Sequence, residues 1–163
     1  MSNPRRGLIT AGVFLGIGLG GFFDGIVLHQ ILQWHHLVSE THPVNTLDNF
    51  ELNTLLDGIF HAFTYICTAI GVYLLWRVQR QNGRLSGWVL IGAMLMGWGG
   101  FNLVEGIVDH HLLQIHHVRP GDNELLWDIG FLIWGALMLI GGWWLVRSNQ
   151  PLSKSLPASR ERL

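Results

Sequence analysis

The sequence predicts an all-α, polytopic membrane protein: four transmembrane helices in an antiparallel bundle, built from two tandem helix hairpins. Three observations predict it. Charged residues make up 13% of the 163-residue chain and hydrophobic ones 49%, with 21 glycines and eight tryptophans. That balance suits a membrane protein, where glycine is tolerated in helices and tryptophan gathers at interfaces. Four apolar runs are each about twenty residues or more, long enough to cross a hydrocarbon core of roughly 30 Å. An internal repeat pairs the first run with the third. Phe23–His36 (FDGIVLHQILQWHH) returns as Val104–His117 (VEGIVDHHLLQIHH), offset by 81 residues. Gly25, Ile26, Val27, His29, Leu32, Gln33, His35 and His36 fall on identical residues, and Asp24 falls on Glu105. A repeat that keeps an acid, a glycine, a glutamine and three histidines in step points to duplicated chemistry as well as duplicated packing.

The first run, Leu8–Val27, follows Arg5 and Arg6 and has no Ala-x-Ala site after it, so it reads as an uncleaved membrane helix. Gly12, Gly16 and Gly20 form a small-residue stripe on which another helix can approach closely, within one bundle or between two copies. The helical pattern continues through the first repeat copy to His36. Leu37–Asn53 is a polar loop, and Thr54–Trp76 is the second span, carrying Asp57 and His61. After the short basic segment Arg77–Arg84, the third span runs Leu85–Val108 into the second repeat copy. Val118–Glu124 is a turn signalled by Pro120–Gly121, and Leu125–Val146 is the fourth span, carrying Asp128. The transmembrane domain therefore covers 1–146, its repeats 8–76 and 85–146, and residues 147–163 form a polar, disordered tail.

Arginines and the tail's lysine cluster on one side of the four spans, while Glu40, Asp48, Glu51, Asp122 and Glu124 lie on the other with Arg119. The positive-inside rule then places both termini in the cytoplasm of an inner (plasma) membrane and the repeated histidine loops on the outer face. A net charge near zero implies no nucleic-acid partner. The single cysteine, Cys67, lies in an apolar run and reads as a small buried hydrophobe.

The acids of the spans share a depth. At about 1.5 Å per helical residue, Asp24 lies roughly 27 Å from Arg6, and Asp57, Glu105 and Asp128 lie roughly 28–31 Å from the arginines of their own helices. Four carboxylates thus reach one level near the outer edge of the hydrocarbon, and all nine histidines lie near or beyond it. Ionisable groups at that depth need partners, so a functional site is the first expectation. Neutral imidazole with carboxylate is a ligand set for Zn, Fe, Mn or Cu(II). The pattern predicts one or two transition-metal ions, Zn, Cu or Fe among them. Asp24, His29, Asp57, His61, Glu105 and His110 are expected as inner ligands, with Asp128 as the counterpart of Asp57. His35, His36, His116 and His117 are expected as a second tier or funnel. Two other readings use the same residues. Haem could take bis-His ligation from His29, His61 or His110, for electron transfer. Alternatively the histidines serve proton handling or structure without a metal.

On DGIVLHQILQWHH and EGIVDHHLLQIHH, and across the four spans, the chain resembles the bacterial predicted-membrane-protein family catalogued as domain of unknown function 2243. The resemblance implies a small polytopic inner-membrane protein and supplies no established activity or cofactor. It also implies association with respiratory oxidase assembly factors, which would favour copper.

Overall fold

The computed structural model describes residues 4–82 and 85–149. They are helical, with no strand among them. Helix α1 is Pro4–Phe23, α2 Leu47–Asn82, α3 Gly87–Glu105 and α4 Glu124–Ser148. The histidine repeat does not continue α1 and α3 as α-helix. Each passes into a π-helical segment, π1 at Asp24–Ile31 and π2 at Gly106–Leu112. Four helices are long and apolar enough to cross a membrane. The last helix takes in Arg147 and Ser148 and is capped by Asn149; residues 150–163 of the expected tail lie outside the described residues, as does Arg84.

The two hairpins form as expected, α1 with α2 and α3 with α4, each pair antiparallel. They join through α1 and α3, which lie side by side and run in the same direction. The spatial order is therefore α2–α1–α3–α4. The backbone of α2 stays clear of α3 and α4, and that of α4 stays clear of α1; only side chains meet across these gaps, as Phe60 and Phe101 do and as Arg5 does in donating to the carbonyl of Val146. Over its most apolar stretch α1 is 56% buried, against 17% for α2 and for α4, as this order requires. The outer helices turn Leu55, Ile59, Ile66, Leu137 and Ile140 outward, the surface a lipid-facing helix needs.

Glycine makes the central contact. A Cβ at Gly16 would fall on the backbone of Met94 and Trp98, and one at Gly97 on the backbone of Val13. The stripe of Gly12, Gly16 and Gly20 thus faces α3 of the same chain, and close backbone approach substitutes for the hydrophobic drive that lipid removes. At the arginine end a small apolar cluster of Leu8, Val78 and Val89 closes the row. Arg80 and Arg147 lie over Trp76 and Trp143 at that end, a pairing suited to the headgroup level.

Candidate metal centre

The π-helical segments build the site. In an α-helix, positions five apart point about 140° away from each other. A π-helix closes its hydrogen bonds from i to i+5 and brings such positions together. Asp24 and His29 are five apart, and His29 Nε2 lies 3.0 Å from Asp24 Oδ2. Glu105 and His110 repeat the spacing in π2.

The helices then stop, at Ile31 and Leu112, whereas the sequence pattern predicts helix to His36. Gln33 and Gln114 take φ of 49° and 50°, left-handed backbone that turns the chain over the end of the bundle. His35 and His116 come back inward and are buried to 2% and 0% exposure, instead of forming an outer tier. Their rings stack on each other, centroids 4.6 Å apart and planes within 4°. The Nδ1–H of His35 donates to the carbonyl of Val118 (2.8 Å), and that of His116 to the carbonyl of Leu37 (3.0 Å). A carbonyl can only accept, so each ring carries its proton on Nδ1 and presents the Nε2 lone pair to the interior. Burial, and then the facing His116, pushes His35 down to about 3, and burial holds His116 low as well. Both rings are neutral, the form that binds a metal.

Asp57 and Asp128 lie one layer out. Asp57 Oδ1 accepts from His29 Nδ1 (2.9 Å) and from the amide of Leu37 (3.0 Å), while Oδ2 accepts from His36 Nδ1 (2.6 Å). Asp128 repeats this with the amide of Val118 (2.9 Å) and His117 Nδ1 (2.6 Å), and its Oδ1 lies 3.3 Å from His110 Nδ1. Each aspartate ties its own repeat's loop to a core imidazole and fixes the ring's orientation. A carboxylate so placed is what orients an imidazole that holds a metal ion. Because the carboxylate oxygens of Asp57 are taken by these donors, Asp57, Asp128, His36 and His117 surround the core and do not line it.

The atoms left facing inward are Asp24 Oδ2, Glu105 Oε2, and the Nε2 atoms of His29, His35, His110 and His116. All are buried and none makes a hydrogen bond of good geometry. Three come from each repeat. Ligand atoms of His29, His35 and His116 fall within 4.8 Å of one another, as do those of Glu105, His110 and His116. Asp24 and Glu105 interact across the α1–α3 contact. Buried polar atoms normally make hydrogen bonds; these six do not, although Asp24 Oδ2 and His29 Nε2 lie 3.0 Å apart, and together they form a cradle that could hold a cation.

His61 is not brought in. Its ring bonds back to the carbonyl of Asp57 (2.8 Å) in its own helix, and its Nε2 abuts Gly25. A four-residue spacing from Asp57 places both on one helical face, but the Asp57 carboxylate leans towards the loop. The carbonyls of Leu37 and Val118 are missed by the sequence reading because backbone groups leave no residue signature. The 81-residue offset between Leu37 and Val118 is the one trace of them. Asn53, buried at 1%, is also missed; it binds the loop through the amide of Val38 and the carbonyl of His42.

No curated protein and no solved structure matches the chain. A family model for a predicted membrane protein does match, over residues 11–149, a segment that takes in most of the first span, the whole of the other three and both histidine repeats. The chain belongs to the family of predicted membrane proteins designated domain of unknown function 2243.

Proposed function

We propose that this protein holds two transition-metal ions at one end of its bundle, one per repeat. Asp24, His29 and His35 would supply the first ion, and Glu105, His110 and His116 the second. The observation that carries this reading is the set of six buried, inward-facing ligand atoms without hydrogen bonds. Two nitrogens and one oxygen per ion suit zinc, iron or copper(II), and three protein ligands leave a position open to an exogenous molecule. The softer ligand Cys67 is placed elsewhere in α2, facing the row's interior.

Haem is less well supported. The rings of His29, His35, His116 and His110 adjoin in sequence at 4.5, 4.6 and 4.8 Å, which leaves no slot for a flat macrocycle between them. By the positive-inside rule, the arginines at the opposite end support a site on the outer face of the membrane.

The test is elemental analysis of the detergent-purified full chain, with an absorption spectrum. Two metal atoms per chain are expected, about one in His29→Ala, and none in a still-folded H29A/H110A variant. No stoichiometric metal after reconstitution with zinc, iron and copper would overturn the proposal.

A further inference from the structure

The order α2–α1–α3–α4 leaves two lateral gaps, related by the repeat. One lies between α2 and α3 over α1, the other between α1 and α4 over α3. They have diverged. The second holds a cavity of about 260 Å³ and is walled by Trp34, Trp98, Trp127 and Trp134. Trp34 and Trp127 pack at 5.3 Å, and Arg119 lies over both rings. The first holds a cavity of about 490 Å³. There Ile17 stands where the other gap has Trp98, and Phe63 where it has Trp134.

The polar ends differ too. The larger gap ends on Glu105 and Asp109, where the smaller one has Leu28 at the position matching Asp109. Glu105 is 6% exposed, its Oε2 makes no hydrogen bond, and it belongs to the metal cradle. The larger gap is therefore a passage from the lipid-facing surface to the cradle. Its remaining walls are apolar and aromatic, with Phe60 and Phe101 stacked at 6.0 Å. Gly100 adds open space, with nothing within 4 Å of a Cβ built there.

We propose that this cleft binds a bilayer-resident hydroquinone, a quinol with an apolar tail. The inference rests on the metal reading only for what the bound head would meet; the cleft itself stands on its own walls. A dihydroxy-aromatic head offers one O–H donor to each of Glu105 and Asp109, its ring lies against Phe60 and Phe101, and its tail leaves past Val104 and Phe63 into lipid. A volume near 490 Å³ falls within the range of small-molecule sites, which pair apolar walls with a few convergent polar groups.

The experiment uses the full chain in phosphatidylcholine nanodiscs. A decyl-substituted benzoquinol, kept reduced, is titrated by equilibrium dialysis, and metal content is measured on the same samples. Saturable binding at one site per chain is expected. Gly100→Trp, which fills the cleft, and Asp109→Leu, which installs the residue of the other repeat, should each weaken it by about tenfold or more, with metal content unchanged. Asp109→Leu guards against misfolding, because Leu28 already occupies the equivalent position. Absence of saturable binding, or equal binding by wild type and both variants, overturns the proposal. So does equal competition by decane, which has no hydroxyl. Quinol binding by a wild type that takes up no zinc, iron or copper on reconstitution would sink the metal reading and leave the cleft's ligand standing.

Discussion

The imidazoles of His35 and His116 stack at 4.6 Å with their planes within 4°. They are the same residue of the two repeats, and each is anchored by a carbonyl from the other repeat's loop. Neither half can place its own ring without the other. His35→Ala and His116→Ala should therefore have matching consequences: each should lose about one bound metal and loosen both loops. Elemental analysis with limited proteolysis of the two loops checks this. Loss of metal in one variant with none in the other would contradict the symmetry.

Asp57 and Asp128 act on the centre through the rings they hold. Asp57→Asn keeps the shape but offers His29 and His36 a weaker acceptor. Metal affinity should fall by roughly 10–100-fold, the usual effect of an outer-shell partner. Asp128→Asn should do the same through the second repeat. Competition against a chelator of known affinity measures both, and unaltered affinity would place these carboxylates in a purely structural role.

Acid should destabilise the fold through the stacked pair. In the unfolded chain both imidazoles take up protons near the ordinary value of 6.5, whereas His35 in the fold resists protonation down to about 3. The unfolded state then binds more protons between those values. The contribution is full above about 6.5 and is lost as pH falls towards 3. Thermal unfolding in detergent with chelator present should show Tm falling from pH 7.5 through 5.5 to 4. His35→Gln should flatten that dependence; an unchanged slope would assign it to other groups.

Packing offers a test independent of any metal. Gly16→Leu places side-chain atoms on the backbone of Met94 and Trp98 and should cost about 1–3 kcal/mol or more by overpacking. Gly58→Ala, where nothing lies within 4 Å of the added Cβ, should be neutral or slightly stabilising. Equal thermal stabilities for the two variants would mean that α1 and α3 do not approach as closely as their glycines allow.

The four spans and the hairpin pairing were legible because length, hydropathy and short connections decide them. The level shared by Asp24, Asp57, Glu105 and Asp128 was legible too, from rise per residue alone, and all four are buried around the same cluster. Which residues face inward was legible in part: Asp24, His29, Glu105 and His110 were expected inside, whereas His35 and His116 were expected in an outer tier. The π-helical turn brings Asp24 and His29 together where an α-helical turn separates positions five apart, and the left-handed break at Gln33 returns His35 inward. A glutamine in left-handed backbone carries none of the usual turn signals, so a fold-back that carries His35 and His116 inward had no marker short of the repeat itself. His61 was drawn in by a sound helical spacing and lost to a carbonyl of its own helix.

The exchange of carbonyls between the two loops has a consequence for the half-chain. A single hairpin carries one acid, its two imidazoles and its outer aspartate, yet the carbonyl that sets the tautomer of its second imidazole belongs to the other hairpin. Alone, such a hairpin would hold an incomplete half-site. Two identical hairpins meeting on their glycine faces would supply each other's missing acceptor, as a twofold homodimer. Covalent duplication then frees the copies to differ: Leu28 against Asp109 and Ile17 against Trp98 lie along the two gaps, while the six converging atoms keep their type, carboxylate for carboxylate and imidazole for imidazole.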